Sequence, residues 1–142
     1  MARAGGLSLL SGRRCVVALS GGADSAVAAL EATRHAVAAR AVHVHHGYPA
    51  SDRLADAARA VADRLGFDLD VVAVAPDDES ETAARAARRP ALLAALAPGE
   101  YLVTGHTADD LAETVLQRII RGTGPGGLAA MRPEEDLVLR PL

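Results

Sequence analysis

The chain of 142 residues has the length of one domain, and its composition is 50% hydrophobic and 2% aromatic, so a core must be built from small aliphatic side chains. A formal net charge of -3 argues against a protein that grips nucleic acid by bulk charge alone, although a local arginine patch stays open. A single cysteine, Cys15, excludes an internal disulfide framework, and the apolar runs are too short to span a membrane. These features predict one cytoplasmic domain over residues 1–142.

Strand-like and helix-like segments alternate along the chain. The predicted strands are Cys15–Leu19, Ala41–His45, Leu69–Ala75, Tyr101–Thr104 and a short Leu137–Arg140. The predicted helices are Ser25–Arg34, Ser51–Leu65 and Ala108–Arg121, and the segment Asp77–Ser80 opens a further helix. Ser51 is expected to cap the second of these helices, and Gly66 and Gly122 are expected to stop the second and the last. This alternation predicts an α/β fold: a doubly wound, mostly parallel sheet of about five strands with helices on both faces.

The stretch VALSGGADS, residues 17–25, places two glycines between the first strand and the first helix. Glycines let the backbone turn tightly and approach a ligand, and the N–H groups at a helix N-terminus favour an anion. Two serine hydroxyls add donors, so the stretch predicts a phosphate cradle. Its candidate residues are Ser20, Gly21, Gly22, Ala23, Asp24 and Ser25.

Asp24 is unfavourable beside bare phosphate, because like charges repel. A metal ion between the carboxylate and the phosphates removes the conflict, so the loop predicts a nucleotide bound with Mg²⁺. An ordinary strand–turn–helix junction with Asp24 as the helix cap remains the alternative.

A second polar cluster follows the fourth predicted strand. Asp109 and Asp110 stand one helical turn before Glu113, so the three carboxylates can share one region and hold Mg²⁺ or receive an ammonium group. His106 precedes them and could accept or relay a proton near neutral pH. Alternatively, the acids only favour the N-terminus of a helix.

Three histidines, His43, His45 and His46, invite a metal interpretation. Alternation along a strand puts only two of them on one side, and no cysteine or acid is adjacent in sequence. That arrangement is weak for a tetrahedral metal site.

The loop SGGADS resembles the SGGxDS loop of the PP-loop ATP pyrophosphatases, which split ATP between its α and β phosphates. The further segments AVHVHHG (41–47), TGHTADDLAETVL (104–116), RGTG (121–124), GL (127–128) and RPL (140–142) are together similar to the tRNA(Ile)-lysidine synthetases. The order and spacing agree over nearly the whole chain.

The resemblance implies a fold like that of the adenine nucleotide alpha hydrolases and a ligase reaction. ATP adenylates the wobble cytidine of tRNA(Ile) with a CAU anticodon, and free lysine then displaces AMP. It implies that Asp24 and Asp110 are metal or lysine ligands, that His106 and Glu113 shape the site, and that Arg121 binds phosphate. A favourable charge at a helix C-terminus is the alternative for Arg121.

The resemblance also implies nucleotide-binding roles for His46 and Gly105 and an RNA-contacting helix that carries Arg85 and Arg88. A solvated helix face is the alternative for this arginine pair. Pro90 predicts that the helix ends there.

Two other functions stay open: another PP-loop enzyme such as a tRNA thiolase, and a non-catalytic nucleotide-binding remnant. Because the family's domain continues past the RPL segment, we expect a fragment, a split subunit or a degenerate copy that lacks its C-terminal tRNA-binding part or a partner chain.

Overall fold

Strands and helices alternate in the computed structural model, which describes residues 4–105, 116, 120, 122 and 134–142. The helices with defined bounds are α1 (Ala4–Ser8), α2 (Ala23–His35), α3 (Ser51–Leu65) and α4 (Glu81–Ala94). The strands are β1 (Arg14–Ala18), β2 (Ala38–His45), β3 (Leu69–Ala73), β4 (Glu100–Val103), β5 (Glu134–Glu135) and β6 (Val138–Leu139).

The strands form one sheet in the order β3-β2-β1-β4-β6-β5. Five of them run parallel, and β5 pairs antiparallel with β6 at the edge. The chain moves outward from β1 to β2 and β3, then crosses back to β4 on the other side of β1. The predicted doubly wound, mostly parallel sheet of about five strands is therefore confirmed, and β1 and β4 form its topological switch point.

Successive side chains of the strands point to opposite faces of the sheet and pack into two separate hydrophobic cores. Val17 of β1 packs with small residues of α2 and α3, such as Ala28 and Ala58. Val16 points the opposite way and packs with Leu92 of α4. Helices thus cover both faces, and alanine-rich helices can lie close to the sheet because their buried side chains are small.

The ends of α3 test the predicted helix signals. The helix spans Ser51–Leu65 as expected, and Gly66 ends it with a φ of 72°. The predicted cap was wrong, because Ala50 precedes the first helical residue and makes no side-chain cap. Ser51 lies inside the helix, and its Oγ accepts the N–H of Tyr48 at 3.0 Å, so it fastens the preceding loop instead.

The sequence predicts that the helix ends at Pro90, and this prediction is wrong. Helix α4 begins after Ser80, whose Oγ accepts the N–H of Ala83 at 3.1 Å, and continues through Pro90 to Ala94. A proline in a helix interior costs about 3 kcal/mol, because it removes one N–H and crowds the preceding turn. Leu92, buried in the core beyond Pro90, gives the last turn the tertiary packing that offsets this cost.

Other boundaries differ by a few residues, and α1 was not predicted. Its sequence AGGLS is a poor helix former, but Gly6 lies directly against the backbone of Pro141, which brings the two ends of the described chain together. Most of the predicted helix Ala108–Arg121 falls outside the described residues; Leu116 and Ile120 within it are helical and exposed. In the described part of the chain, no helix has the length and hydrophobicity needed to cross a membrane.

Candidate functional site

A cavity of about 1330 Å³ opens at the carboxyl ends of β1, β2 and β4. Parallel α/β sheets bind ligands at this edge, next to the switch point. The cavity exceeds the roughly 300–1000 Å³ of an ordinary small-molecule site, so it has room for more than one ligand. Four arginines and four carboxylates line it: Arg85, Arg88, Arg89, Arg140, Asp24, Glu79, Glu81 and Asp136.

Gly105 brings two separate sequence motifs together. It follows β4 and lies against the start of α2, where a Cβ at this position would stand 2.7 Å from the carbonyl carbon of Asp24 and from the nitrogen of Ser25. Real Cβ atoms do not approach backbone so closely, so this position needs glycine. The close approach places Gly105, just beyond β4, beside the phosphate-loop candidate after β1.

The loop from Ser20 to Ser25 is closed by its own hydroxyl groups. Ser25 is buried; its Oγ donates to the carbonyl of Gly22 at 3.0 Å and accepts the N–H of Ser20 at 3.1 Å. The Ser20 hydroxyl lies 3.1 Å from the Ser25 Oγ and accepts the N–H of Gly22 at 3.3 Å. These hydroxyls, predicted as donors to phosphate, hold the loop in shape here. The N–H groups of Ala23 and Asp24, in the first turn of α2, are the donors that helix geometry leaves over.

Gly21 gives the loop its turn. Its φ is +91°, a region that residues with a Cβ rarely adopt, and a Cβ there would lie 2.7 Å from the carbonyl oxygen of Leu54. The loop therefore packs on α3 through one glycine and against Gly105 on its other side.

Asp24 does not cap α2, so only the capping role in that alternative is wrong, and an ordinary strand–turn–helix junction stays the alternative for the loop. The cap residue is Gly22, which makes no side-chain cap hydrogen bond, and Asp24 lies in the first helical turn. Its side chain is exposed and lines the cavity, and no other described residue holds its carboxylate in a hydrogen bond or ion pair. The carboxylate is therefore available to a cation at the positive end of a helix.

Two histidines of β2, His43 and His45, make different contacts. The Nδ1–H of buried His43 donates to the carbonyl of Leu19 at 2.7 Å. His45 accepts the N–H of Gly47 on Nδ1 at 3.1 Å, so its Nε2 carries the proton and donates to Asp52 at 2.8 Å. Among the described residues, no cluster of three or more His, Cys, Asp or Glu side chains could hold a metal ion.

Burial lowers the pKa of both His43 and His46. For His46 the neighbouring Arg88 adds to the effect. Both rings are therefore neutral near pH 7, and the Nε2 atom of each is buried without a hydrogen-bond partner in the described structure. His46, predicted as a nucleotide-binding residue, lines the cavity beside His43.

Arg85 and Arg88 are not equivalent on the face of α4. Arg85 is exposed and donates to Glu81 at 3.0 Å, one turn earlier in the same helix, as a solvated pair does. Arg88 is half-buried, and burial together with the charge of Arg85 lowers the pKa of its guanidinium. Both line the cavity, so the fully solvated face offered as the alternative is wrong for Arg88.

A second depression lies at the opposite, amino-terminal end of the strands, around Arg14 and Arg40. Arg40 makes four hydrogen bonds there: Nε and Nη2 donate to Glu100 at 2.9 Å each, Nη1 donates to Asp70 at 3.1 Å, and Nη2 also donates to the Ala95 carbonyl at 2.7 Å. The arginine joins β2 to β3, β4 and the end of α4, and we assign this end a structural role.

Several predicted site residues cannot be placed. His106, Asp109, Asp110, Glu113 and Arg121 lie outside the described residues. Gly105, directly before them, is described, and it fixes the point from which this segment leaves β4.

Sequence reasoning missed two cavity residues, His43 and Tyr48. His43 was weighed as a metal ligand, and its contact with Leu19 connects two strands, which spacing along one strand cannot reveal. Tyr48 follows the second motif directly, and an aromatic residue in so aromatic-poor a chain was the available signal.

Replacing Gly105 by alanine should lower the free energy of unfolding by about 1–3 kcal/mol, since the new methyl group must displace the first turn of α2. Chemical denaturation measures the change. Gly22→Ala is the matched control in the same loop, because its Cβ meets nothing closer than 3.5 Å, at the Ser20 Oγ. A Gly105→Ala protein as stable as Gly22→Ala would contradict the close approach.

The buried histidines predict a stability that falls in mild acid. A folded-state pKa below the ordinary 6.5 means that the unfolded chain binds more protons, so the free energy of unfolding decreases as pH falls below that value. Urea denaturation across this range measures the slope, and His43→Gln should flatten it. An unchanged slope in His43→Gln would assign the dependence to other groups.

Comparison with known proteins places the chain in a family. A family model described as a PP-loop domain matches residues 5–142. Curated proteins named tRNA(Ile)-lysidine synthase are 48% identical over 140 residues in Alkalilimnicola ehrlichii and 50% identical over 129 residues in Xanthomonas campestris. These alignments cover 89% and 84% of this chain but 31% and 29% of the relatives, so the chain spans about a third of their length.

A solved structure shares the fold. The U34-tRNA thiolase NcsA from Methanococcus maripaludis, solved with its [4Fe-4S] cluster, superposes with a TM-score of 0.75 at 20% identity. The match covers 93% of this chain and 52% of the thiolase. Because the family model extends over nearly the whole sequence, this chain belongs to the PP-loop domain family.

Proposed function

We propose that this chain is the ATP-binding domain of a ligase that joins lysine to the wobble cytidine of tRNA(Ile) with a CAU anticodon. One observation supports the site above the others: Gly105, just beyond β4, packs on Asp24 and Ser25 of the loop after β1. The similarity to proteins named tRNA(Ile)-lysidine synthase supports the substrate.

The nucleotide would bind with its phosphates at the N-terminus of α2. The N–H groups of Ala23 and Asp24 favour phosphate oxygens there, and the serine-closed loop holds the backbone in place before the ligand arrives. The residues proposed for this role are Ser20, Gly21, Gly22, Ala23, Asp24, Ser25, His46 and Gly105.

Mg²⁺ fits the donors at this site. The exposed carboxylate of Asp24 is a hard oxygen ligand, and Mg²⁺ commonly takes one or two protein carboxylates with phosphates and water completing its shell. We propose Asp110 as the second carboxylate, and the ion would neutralise charge on the phosphates.

The reaction itself has two steps. The cytidine C2 oxygen attacks the α-phosphorus of ATP and releases pyrophosphate, and the lysine amine then attacks C2 and releases AMP. Proposed roles for the other residues after β4 follow from their chemistry: Glu113 receives the lysine ammonium, His106 accepts or relays a proton, and Arg121 binds phosphate.

A PP-loop tRNA thiolase is the closest alternative, because a thiolase shares the fold. Sulfur carriers need an accessible thiolate. Cys15, the one cysteine of the chain, is 1% exposed, and burial raises the pKa of its thiol to about 11. This observation favours the ligase.

Replacing Asp24 by asparagine should weaken binding of Mg²⁺ with a non-hydrolysable ATP analogue by about tenfold or more, because the metal loses a charged ligand worth roughly 1.4 kcal/mol. Calorimetric titration measures the affinity. Asp136→Asn is the control: this acid lines the same cavity in the turn before β6, where its φ of 52° suits asparagine as well. Equal affinities for wild type and Asp24→Asn would remove Asp24 from the metal site, and no binding by the folded wild type would contradict the nucleotide site and with it the proposed catalysis.

The ligase reaction predicts AMP formation that requires a tRNA(Ile) transcript with a CAU anticodon, lysine and Mg·ATP together. Chromatography of the nucleotide products measures it. In the enzyme completed by its C-terminal tRNA-binding part, Asp110→Ala should reduce AMP formation at least 100-fold, since one oriented charge in a site commonly contributes that much. AMP formation without lysine dependence, or an Asp110→Ala protein at the wild-type rate, would contradict the proposal.

A further inference from the structure

The aromatic residues of this chain are few, which makes their positions informative. The sequence contains one Phe, two Tyr and no Trp. Phe67 packs against the hydrophobic core, and the Tyr101 ring lies 4.5 Å from the guanidinium carbon of Arg13. Tyr48 stands apart from both cores, in the loop between β2 and α3, and lines the large cavity.

Two hydrogen bonds hold Tyr48 in place. Its hydroxyl donates to the carbonyl of Asp78 at 2.8 Å, and its backbone N–H donates to the Oγ of Ser51 at 3.0 Å. Asp78 is itself fixed, because its Oδ1 accepts the N–H of Ser80 at 2.7 Å, directly before α4. The side chain therefore bridges the loops before α3 and α4, and its hydroxyl is already used, so the ring is what it offers a ligand.

His46 lies beside this ring. The ring centroids of His46 and Tyr48 are 5.9 Å apart, with planes inclined by 49°. Burial and the charge of Arg88 lower the pKa of the His46 imidazole, so the histidine is uncharged and its ring pairs with Tyr48 as an apolar surface. An aromatic pair in a cavity that the partly buried Arg88 also lines suits a group that is flat and carries phosphate.

We propose that Tyr48, supported by His46, is a stacking surface for a nucleobase at the cavity. This inference rests on the proposed function and extends it to a residue that the sequence motifs do not include. Every base has a π face, so stacking on an aromatic ring needs no particular base. Two sources supply such a group here, the adenine of ATP and an unpaired base of RNA.

The test compares ligands that have a base with one that lacks it. Binding of a Mg²⁺-loaded ATP analogue, Mg²⁺-loaded tripolyphosphate and an RNA hairpin with a CAU-containing loop is measured for the full chain and for Tyr48→Ala and Tyr48→Phe. Tyr48→Ala should weaken one of the base-containing ligands by roughly 10- to 100-fold and leave tripolyphosphate unchanged. Tyr48→Phe keeps the ring and should stay within about threefold of the wild type, which separates stacking from the hydrogen bond to Asp78.

The pattern of losses identifies the source of the base. A loss confined to the ATP analogue assigns adenine, and a loss confined to the hairpin assigns an unpaired RNA base. The stacking role is overturned if Tyr48→Ala binds the ATP analogue and the hairpin as the wild type does, or if Tyr48→Phe loses as much affinity as Tyr48→Ala. Binding of tripolyphosphate by the wild type would still support the phosphate loop in either case. A wild-type chain that binds none of the three overturns both the stacking role and the proposed function.

Discussion

The approach of Gly105 to the first turn of α2 is the contact on which the candidate site depends. It joins the ends of β1 and β4, which are neighbours in the sheet but are separated by most of the described chain. Any side chain at this position would push the helix start away from the sheet. The contact therefore holds the chain just beyond β4 against the loop after β1.

A second constraint acts inside that loop. Ser25 is buried and satisfies the backbone of both Ser20 and Gly22, so the loop keeps one conformation without a ligand. An anion site built from backbone N–H groups works only if those groups are held in place, because ordering them at the moment of binding would weaken affinity. Asp24, by contrast, is left exposed where a cation and phosphates would meet.

The polar groups at the two ends of the strands differ: those at the amino ends stabilise the fold, and those at the carboxyl ends line the candidate site. Arg40 and Glu100 form a closed network at the amino ends of β2 and β4, and the arginine lowers the pKa of the Glu100 carboxyl. The polar groups at the carboxyl ends are arranged differently, with buried imidazole nitrogens that have no partner in the described structure and a half-buried Arg88. Polar groups that are left unsatisfied are costly for folding, and such groups are commonly retained where a ligand uses them.

The sequence by itself determined the succession of strands and helices, the parallel sheet and the phosphate-loop candidate. These follow from local signals, as the agreement over Ser51–Leu65 and the stop at Gly66 show. Only the tertiary structure decided the inward role of the Ser25 hydroxyl, the passage of α4 through Pro90, the different surroundings of Arg85 and Arg88, and the placement of Tyr48 against Asp78. Each of these depends on burial or on partners brought together by the fold, and the period of a helix or strand carries no information about such contacts.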